Sequence, residues 1–306
     1  MRRNLFPLLL AGCMVGDVMA EPFDAFERTI PELQEAMDSG ATTSQELVRQ
    51  YLARIEAFDS AGPELNAMLF INPHALDNAA ALDRERAEQG ARGPLHGIPI
   101  VLKDNYDTFD MPTTAGSIAM QGFVPADDAY QVRKLREAGA IFIGKTNLHE
   151  FARGIETISS LGGYTRNPYD PGRNPGGSSG GTAAAVAANF AVAGTGSDTC
   201  GSIRIPAANN NLFGLRVTQG LSNMDGIVPL SHTQDVAGPL ARSMIDLVTV
   251  LDATIDGAAF SENLDANALD GARLGLLTDY LVSSEGYAEV SQVVRDAATA
   301  MEKYGA

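Results

Sequence analysis

The chain has no tryptophan, only two cysteines and only four histidines in 306 residues. The missing tryptophan excludes nothing by itself. The cysteines exclude more, because Cys13 lies in a leading apolar stretch and its removal with that stretch would leave Cys200 alone, with no internal disulfide to form. The histidines, at positions 74, 96, 149 and 232, show neither HExxH nor a His/Cys ligand spacing, so no metal centre is expected. Positive charge is also short, with 22 Lys and Arg against 38 Asp and Glu and a net charge of −16. Phosphate backbones are bound by clustered Lys and Arg, so nucleic acid is not an expected partner. No segment is apolar for long enough to span a bilayer as a permanent helix.

What is present is an ordinary globular composition, 45% hydrophobic and 20% charged. The length suits one large domain or two small ones. The first twenty residues read as an export signal: Arg2 and Arg3, an apolar stretch from Leu5 to Val15, then Val18-Met19-Ala20 spaced for cleavage before Glu21. This predicts a periplasmic or secreted protein with a mature domain over 21–306. Leu10-Ala11-Gly12-Cys13 offers a competing signal, a lipoprotein box that would anchor the chain through Cys13.

Hydrophobic spacing organises the rest. Thr43-x-x-Glu46 is a capping box ahead of Leu47, Val48, Tyr51, Leu52, Ile55 and Phe58 at helical spacing. Further helices are predicted over 74–88, 131–138 (ending at Gly139), 182–193, 243–251 and 287–303. Short apolar runs predict strands at 97–102, 140–143, 226–230 and 273–277. The alternation predicts an α/β fold, a mixed central β-sheet covered by helices on both faces. Residues 162–181 are rich in Gly, Pro, Asn and Ser, and a loop that long inside a domain is usually functional. The last residues, Lys303 to Ala306, look like a helix end that should feed another strand, which predicts a C-terminal part missing from this chain.

The densest chemical signal is Pro175-Gly176-Gly177-Ser178-Ser179-Gly180-Gly181, followed by Asp198-Thr199-Cys200-Gly201-Ser202-Ile203-Arg204. Glycines let the backbone approach a ligand, and consecutive N–H groups in such turns can converge on an anion. Phosphate binding fits poorly, because no Lys follows Gly181 and no GxGxxG is present. A nucleophile elbow on Ser179, with Asp225 and His232 following in order, satisfies GxSxG and would make an esterase. Its required preceding strand is opposed by Pro168, Pro171 and Pro175. Taken one at a time, Ser178 and Ser179 fit turn residues and Lys103 fits a strand-end lysine reaching solvent. Asp198 and Arg204 read as a structural pair, and His149 and His232 as packing or surface residues.

In combination these segments resemble the amidase signature family. The likeness runs from Gly97-Ile98-Pro99-Ile100-Val101-Leu102-Lys103-Asp104, through the double-serine glycine stretch and Ser197 to Pro206, to Gly238-Pro239-Leu240-Ala241-Arg242-Ser243. The layout from Gly93 to His96 and from Thr165 to Tyr169 looks most like its peptide-amidase branch. The resemblance implies a hydrolase of carboxamide bonds working through a serine acyl-enzyme, without metal or organic cofactor, on a small-molecule or peptide amide. It assigns Ser202 as nucleophile, Ser178 (with a cis peptide bond) as proton bridge and Lys103 as general base. Backbone N–H groups of Thr199, Cys200, Gly201 and Ser202 would form the oxyanion hole. Cys200 departs from the family's usual Gly, and Leu215-Arg216-Val217-Thr218 from its usual Leu-Lys-Pro-Thr. Two rivals stay open: a catalytically inactive amidase-fold protein, and the amidase component of a tRNA-dependent amidotransferase. The export signal and the acidic balance oppose the second.

Overall fold

The structure, a computed structural model, describes residues 23–282, 284 and 286–306. The expected export signal, with Cys13, lies outside them. Helix α1 (Ile30–Asp38) starts from a complete capping box between Thr29 and Glu32. Helix α2 (Ser44–Phe58) forms half of its expected box: Thr43 Oγ1 accepts the Glu46 N–H at 3.1 Å. The Glu46 carboxylate turns instead to Arg49 and Gln50. The helix buries Leu47, Val48, Tyr51 and Ile55, one face at the predicted spacing, while Phe58 stays exposed.

The chain continues through β1 (Met68–Ile71), α3 (Ala75–Gln89), β2 (Pro99–Lys103), α4 (Tyr130–Glu137) and β3 (Ile141–Thr146). A two-residue pair, β4 (Ile158–Ser159) and β5 (Gly163–Tyr164), interrupts the long polar segment. Then come α5 (Gly180–Ala187), β6 (Ala193–Asp198), α6 (Arg204–Asn209), β7 (Phe213–Gly214), β8 (Val236–Ala241), α7 (Met244–Thr254) and α8 (Ala288–Glu302). The main sheet has six strands in the order β1-β3-β2-β6-β8-β7. β2 runs parallel to both β3 and β6, and the outer pairs are antiparallel, so the sheet is mixed and helices cover it.

Strands β2, β3, β6 and β8 are buried along their whole length. That explains why β2 and β3 read as continuous apolar runs rather than alternating ones. β6 (Ala-Gly-Thr-Gly-Ser-Asp) does not read that way. The helix expected over 182–193 stops at Ala187, the chain turns through Asn189 at a φ of 58°, and β6 follows. Glycine is disfavoured in strands unless something approaches closely. At Gly194 something does: a Cβ would sit 2.5 Å from Thr182 Cγ2 and 2.8 Å from Val101 Cγ2. α5 therefore lies directly on β6 because β6 has almost no side chains there.

Two expected strands are absent. At 226–230 only an isolated bridge between Ile227 and Tyr106 forms. At 273–277 no strand pairs with the chain among the described residues, and Leu274, Leu276 and Leu277 are exposed. An apolar run becomes a strand only when a neighbour supplies its hydrogen bonds. No helix among the described residues is long and apolar enough to cross a membrane.

Candidate active site

Lys103 is the last residue of β2, and no part of it reaches solvent. Its backbone N–H donates to Thr195 Oγ1 of β6 at 3.0 Å, which fixes the strand end. Its Nζ lies 2.7 Å from Ser178 Oγ, 2.8 Å from Ser197 Oγ and 3.4 Å from the Ser197 carbonyl oxygen. Burial pushes the pKa of this amine down to about 7, against the opposing pull of Asp198 and Asp235. A neutral amine has two N–H groups and one lone pair. Ser197 supplies two oxygens for the N–H groups, which leaves the lone pair for the Ser178 hydroxyl proton.

Ser178 is held by its loop. The Gly177-Ser178 peptide bond is cis. Thr157 Oγ1 donates to the Gly176 carbonyl at 2.7 Å and accepts the Gly180 N–H at 3.0 Å, spanning the turn from both sides. The Ser178 carbonyl accepts the His149 N–H at 3.0 Å, and Asn210 Nδ2 holds the Pro175 carbonyl at 2.7 Å. Closeness then decides which residues fit. A Cβ on Gly181 would collide with the Asn147 carbonyl and stand 2.8 Å from the Ala67 carbonyl oxygen.

Ser179, the alternative nucleophile, points elsewhere. Its hydroxyl donates to the Ser197 carbonyl and accepts the Ser197 N–H, both at 3.3 Å, so it stitches the glycine loop to β6. Asp225 and His232 are exposed, and neither makes a hydrogen bond to Ser179. The elbow reading has no triad here.

Ser202 is buried. Its carbonyl accepts the Ser179 N–H at 3.2 Å, which ties it to the residue after Ser178. Its hydroxyl makes no hydrogen bond among the described residues. The structure therefore joins Lys103 directly to Ser178, and Ser202 to that pair through the main chain.

The turn carrying Ser202 is built around the buried carboxylate of Asp198. It accepts the Gly201 N–H at 2.8 Å and the Ile203 N–H at 3.1 Å, and pairs with Arg204 and Arg216, each at 3.1 Å. Burial alone would raise the Asp198 pKa; the Arg204 hydrogen bonds and the Ile203 amide outweigh it and hold the carboxyl below its ordinary range. One expectation changes as a result. The Gly201 N–H is committed to Asp198, so it is not free to serve an oxyanion. The N–H groups of Thr199, Cys200 and Ser202 make no hydrogen bond among the described residues. Cys200 is exposed.

Sequence reasoning missed three groups beside this site. Ser197 completes the Lys103 cradle, and Asn105 Nδ2 donates to Ser197 Oγ at 3.1 Å. On the opposite face of the sheet Lys145 and Asp104 form a fully buried pair 3.5 Å apart, with Lys145 Nζ also donating to the Tyr106 carbonyl and Thr113. Burial lowers the Lys145 pKa and raises that of Asp104. The signal available was a polar side chain near the end of a fully buried strand, Ser197 in β6 and Lys145 in β3. Among the described residues no group of three His, Cys, Asp or Glu stands close enough to hold a metal ion.

A model of the protein family described as Amidase matches residues 46–306. The native peptide amidase of Stenotrophomonas maltophilia is similar in structure, with a TM-score of 0.85 and 45% identity over 92% of this chain and 61% of that one. An amidase family protein of Bacillus anthracis matches with a TM-score of 0.84 and 33% identity, over 92% of this chain and 59% of that one. In sequence, a glutamyl-tRNA(Gln) amidotransferase subunit of Acidothermus cellulolyticus is 43% identical over 248 residues, 81% of this chain and 48% of the relative. The chain thus spans about half to three fifths of the length of these relatives.

Proposed function

This chain belongs to the amidase signature family, and from that premise we propose that it carries the serine acyl-transfer centre of an enzyme that hydrolyses carboxamide C–N bonds. Lys103 is the general base, Ser178 the proton bridge and Ser202 the nucleophile. The observation that carries the reading is the contact of 2.7 Å between Ser178 Oγ and a fully buried Lys103 amine whose pKa is lowered to about 7. A serine hydroxyl is a weak nucleophile and must lose its proton as it attacks. A solvated lysine is protonated at neutral pH and cannot take that proton; a desolvated one can.

In the reaction, Ser202 Oγ attacks the amide carbon while its proton passes through Ser178 to Lys103. The tetrahedral oxyanion is met by the N–H groups of Thr199, Cys200 and Ser202, each such donor being worth about 2.7–4 kcal/mol in catalysis. The proton returns by the same route to the departing nitrogen, ammonia or an amine leaves, and water hydrolyses the Ser202 ester to the carboxylate. The substrate class is a linear amide, such as a C-terminally amidated peptide or a fatty or aryl amide, and esters follow by the same chemistry. Export through the signal over residues 1–20 would place this activity outside the cytoplasm.

A second reading, the amidase component of a tRNA-dependent amidotransferase, is supported by the glutamyl-tRNA(Gln) amidotransferase relatives. The net charge of −16 weighs against it. Labelling with a serine-directed fluorophosphonate, read by peptide mass spectrometry, tests the main proposal. Label on Ser202 that is lost in Ser202→Ala and retained in Ser179→Ala supports it. A folded chain that takes no label favours the inactive amidase-fold reading.

A further inference from the structure

We propose that Asp235 is a positioning residue for the reaction, holding the Thr199 end of the oxyanion loop in register with the Lys103 amine. The inference rests on the serine acyl-enzyme reading above and adds a residue that neither the sequence motifs nor the Lys103–Ser178–Ser202 set includes.

Asp235 lies just before β8, with its side chain almost entirely buried. One carboxylate oxygen, Oδ1, accepts the Thr199 hydroxyl at 2.5 Å. The other, Oδ2, accepts the backbone N–H groups of Leu230 at 2.8 Å and Ser231 at 2.9 Å. The carboxylate therefore clamps two separate loops, one ending in the amides offered to the oxyanion and one running past the site. That second loop leads back to the base. Val228 donates its N–H to the Asn105 carbonyl at 2.8 Å and accepts from Asn105 Nδ2 at 3.2 Å. Asn105 Nδ2 also donates to Ser197 Oγ, the oxygen that holds Lys103 Nζ.

The contacts close a ring: Lys103, Ser197, Asn105, Val228, the 230–231 turn, Asp235 and Thr199, which is two residues from Ser197 in the chain. The two halves of the catalytic geometry, proton acceptor and oxyanion donors, are fixed to each other through this circuit. Donors help only when they already stand where the charge will develop. Thr199 alone cannot set its own amide, because its backbone N–H has no partner among the described residues and its side chain is anchored to Asp235 at 2.5 Å. Charge acts in the same place. Lys103 is faced by two carboxylates, Asp198 and Asp235, and otherwise by the neutral Ser178 and Ser197. Asp198 is already paired with Arg204 and Arg216, whereas among the described residues Asp235 is met by neutral donors alone.

The test uses the intact chain and a fluorophosphonate, with the maximal labelling rate of Ser202 separated from the apparent affinity for the probe. Asp235→Asn and Thr199→Val are both expected to slow maximal labelling about tenfold or more while affinity stays within about twofold. Because both break the Thr199–Asp235 bond through which the loop is held, the double variant should be no slower than the slower single variant. Thr199→Ser, which keeps the hydroxyl, should label faster than Thr199→Val. Only Asp235→Asn should move the alkaline rise to lower pH, since losing a nearby negative charge favours the neutral amine. Thr199→Val is nearly isosteric, so it decides the matter if Asp235→Asn fails to fold. Maximal labelling within about twofold of the parent in either single variant, or losses that multiply in the double variant, overturns the inference alone. An intact chain that takes no label at Ser202 overturns the acyl-enzyme reading and this inference with it.

Discussion

Lys103 and Ser197 are hydrogen-bonded twice, through the Ser197 hydroxyl at 2.8 Å and its carbonyl at 3.4 Å, inside a sheet that admits no solvent to the amine. The pairing joins the ends of two parallel strands, β2 and β6, and it explains the orientation of the lysine. With both N–H groups occupied by Ser197, the remaining face of the nitrogen meets Ser178. Removing the hydroxyl in Ser197→Ala should leave one N–H without an acceptor and cost about 1–3 kcal/mol of stability, measured by urea unfolding. A loss below about 0.5 kcal/mol would show that this hydrogen bond does not hold the amine.

The buried pair on the other face makes a sharper stability prediction. Asp104 accepts from the Thr114 and Gly116 N–H groups and stands beside Lys145 with neither side chain exposed. Asp104→Ala would strand the Lys145 charge in the core, and such a change typically costs about 3–5 kcal/mol. Chemical denaturation of the variant, with a midpoint close to the parent's, would contradict the pairing.

Gly181 tests the packing of the serine loop. Any side chain there meets the Asn147 and Ala67 carbonyls, which belong to backbone and cannot move away cheaply. Gly181→Ala is expected to destabilise by about 1–3 kcal/mol or more, despite the better helix propensity of alanine in α5. A melting temperature equal to or above the parent's would refute the close approach.

Asp198 predicts an acid dependence. Its folded carboxyl titrates below the ordinary value, so the stability it contributes is fully present above about pH 4 and is lost as the pH falls through the folded pKa. In Asp198→Asn that contribution should be missing at pH 7, by about 1.5–3 kcal/mol, and the gap to the parent should narrow towards pH 2. A gap independent of pH would contradict the charge-based account of the turn.

The fold was legible where hydrophobic spacing was strong. α2, α3, α4 and α8 fall within a residue or two of their expected bounds, and β2 and β3 match the apolar runs. β6 was not legible, because its identity depends on α5 lying against Gly194, a tertiary fact that a glycine-rich string reads as loop. The expected strand at 273–277 shows the reverse error, apolar residues with no pairing partner among those described. The serine loop and its lysine were legible as three motifs in order. Their cradle was not, since Ser197, Asn105 and Asp235 act only through contacts between strands and loops distant in sequence.

The most direct test of the central claim is the pH dependence of Ser202 labelling by a fluorophosphonate in the parent chain and in Lys103→Ala. The account predicts a parent rate that rises with pH as the amine loses its proton near its pKa of about 7, and a variant that is nearly unreactive near neutrality. A parent rate flat from about pH 5 to 9, or a variant labelled as fast as the parent at about pH 7, would contradict it.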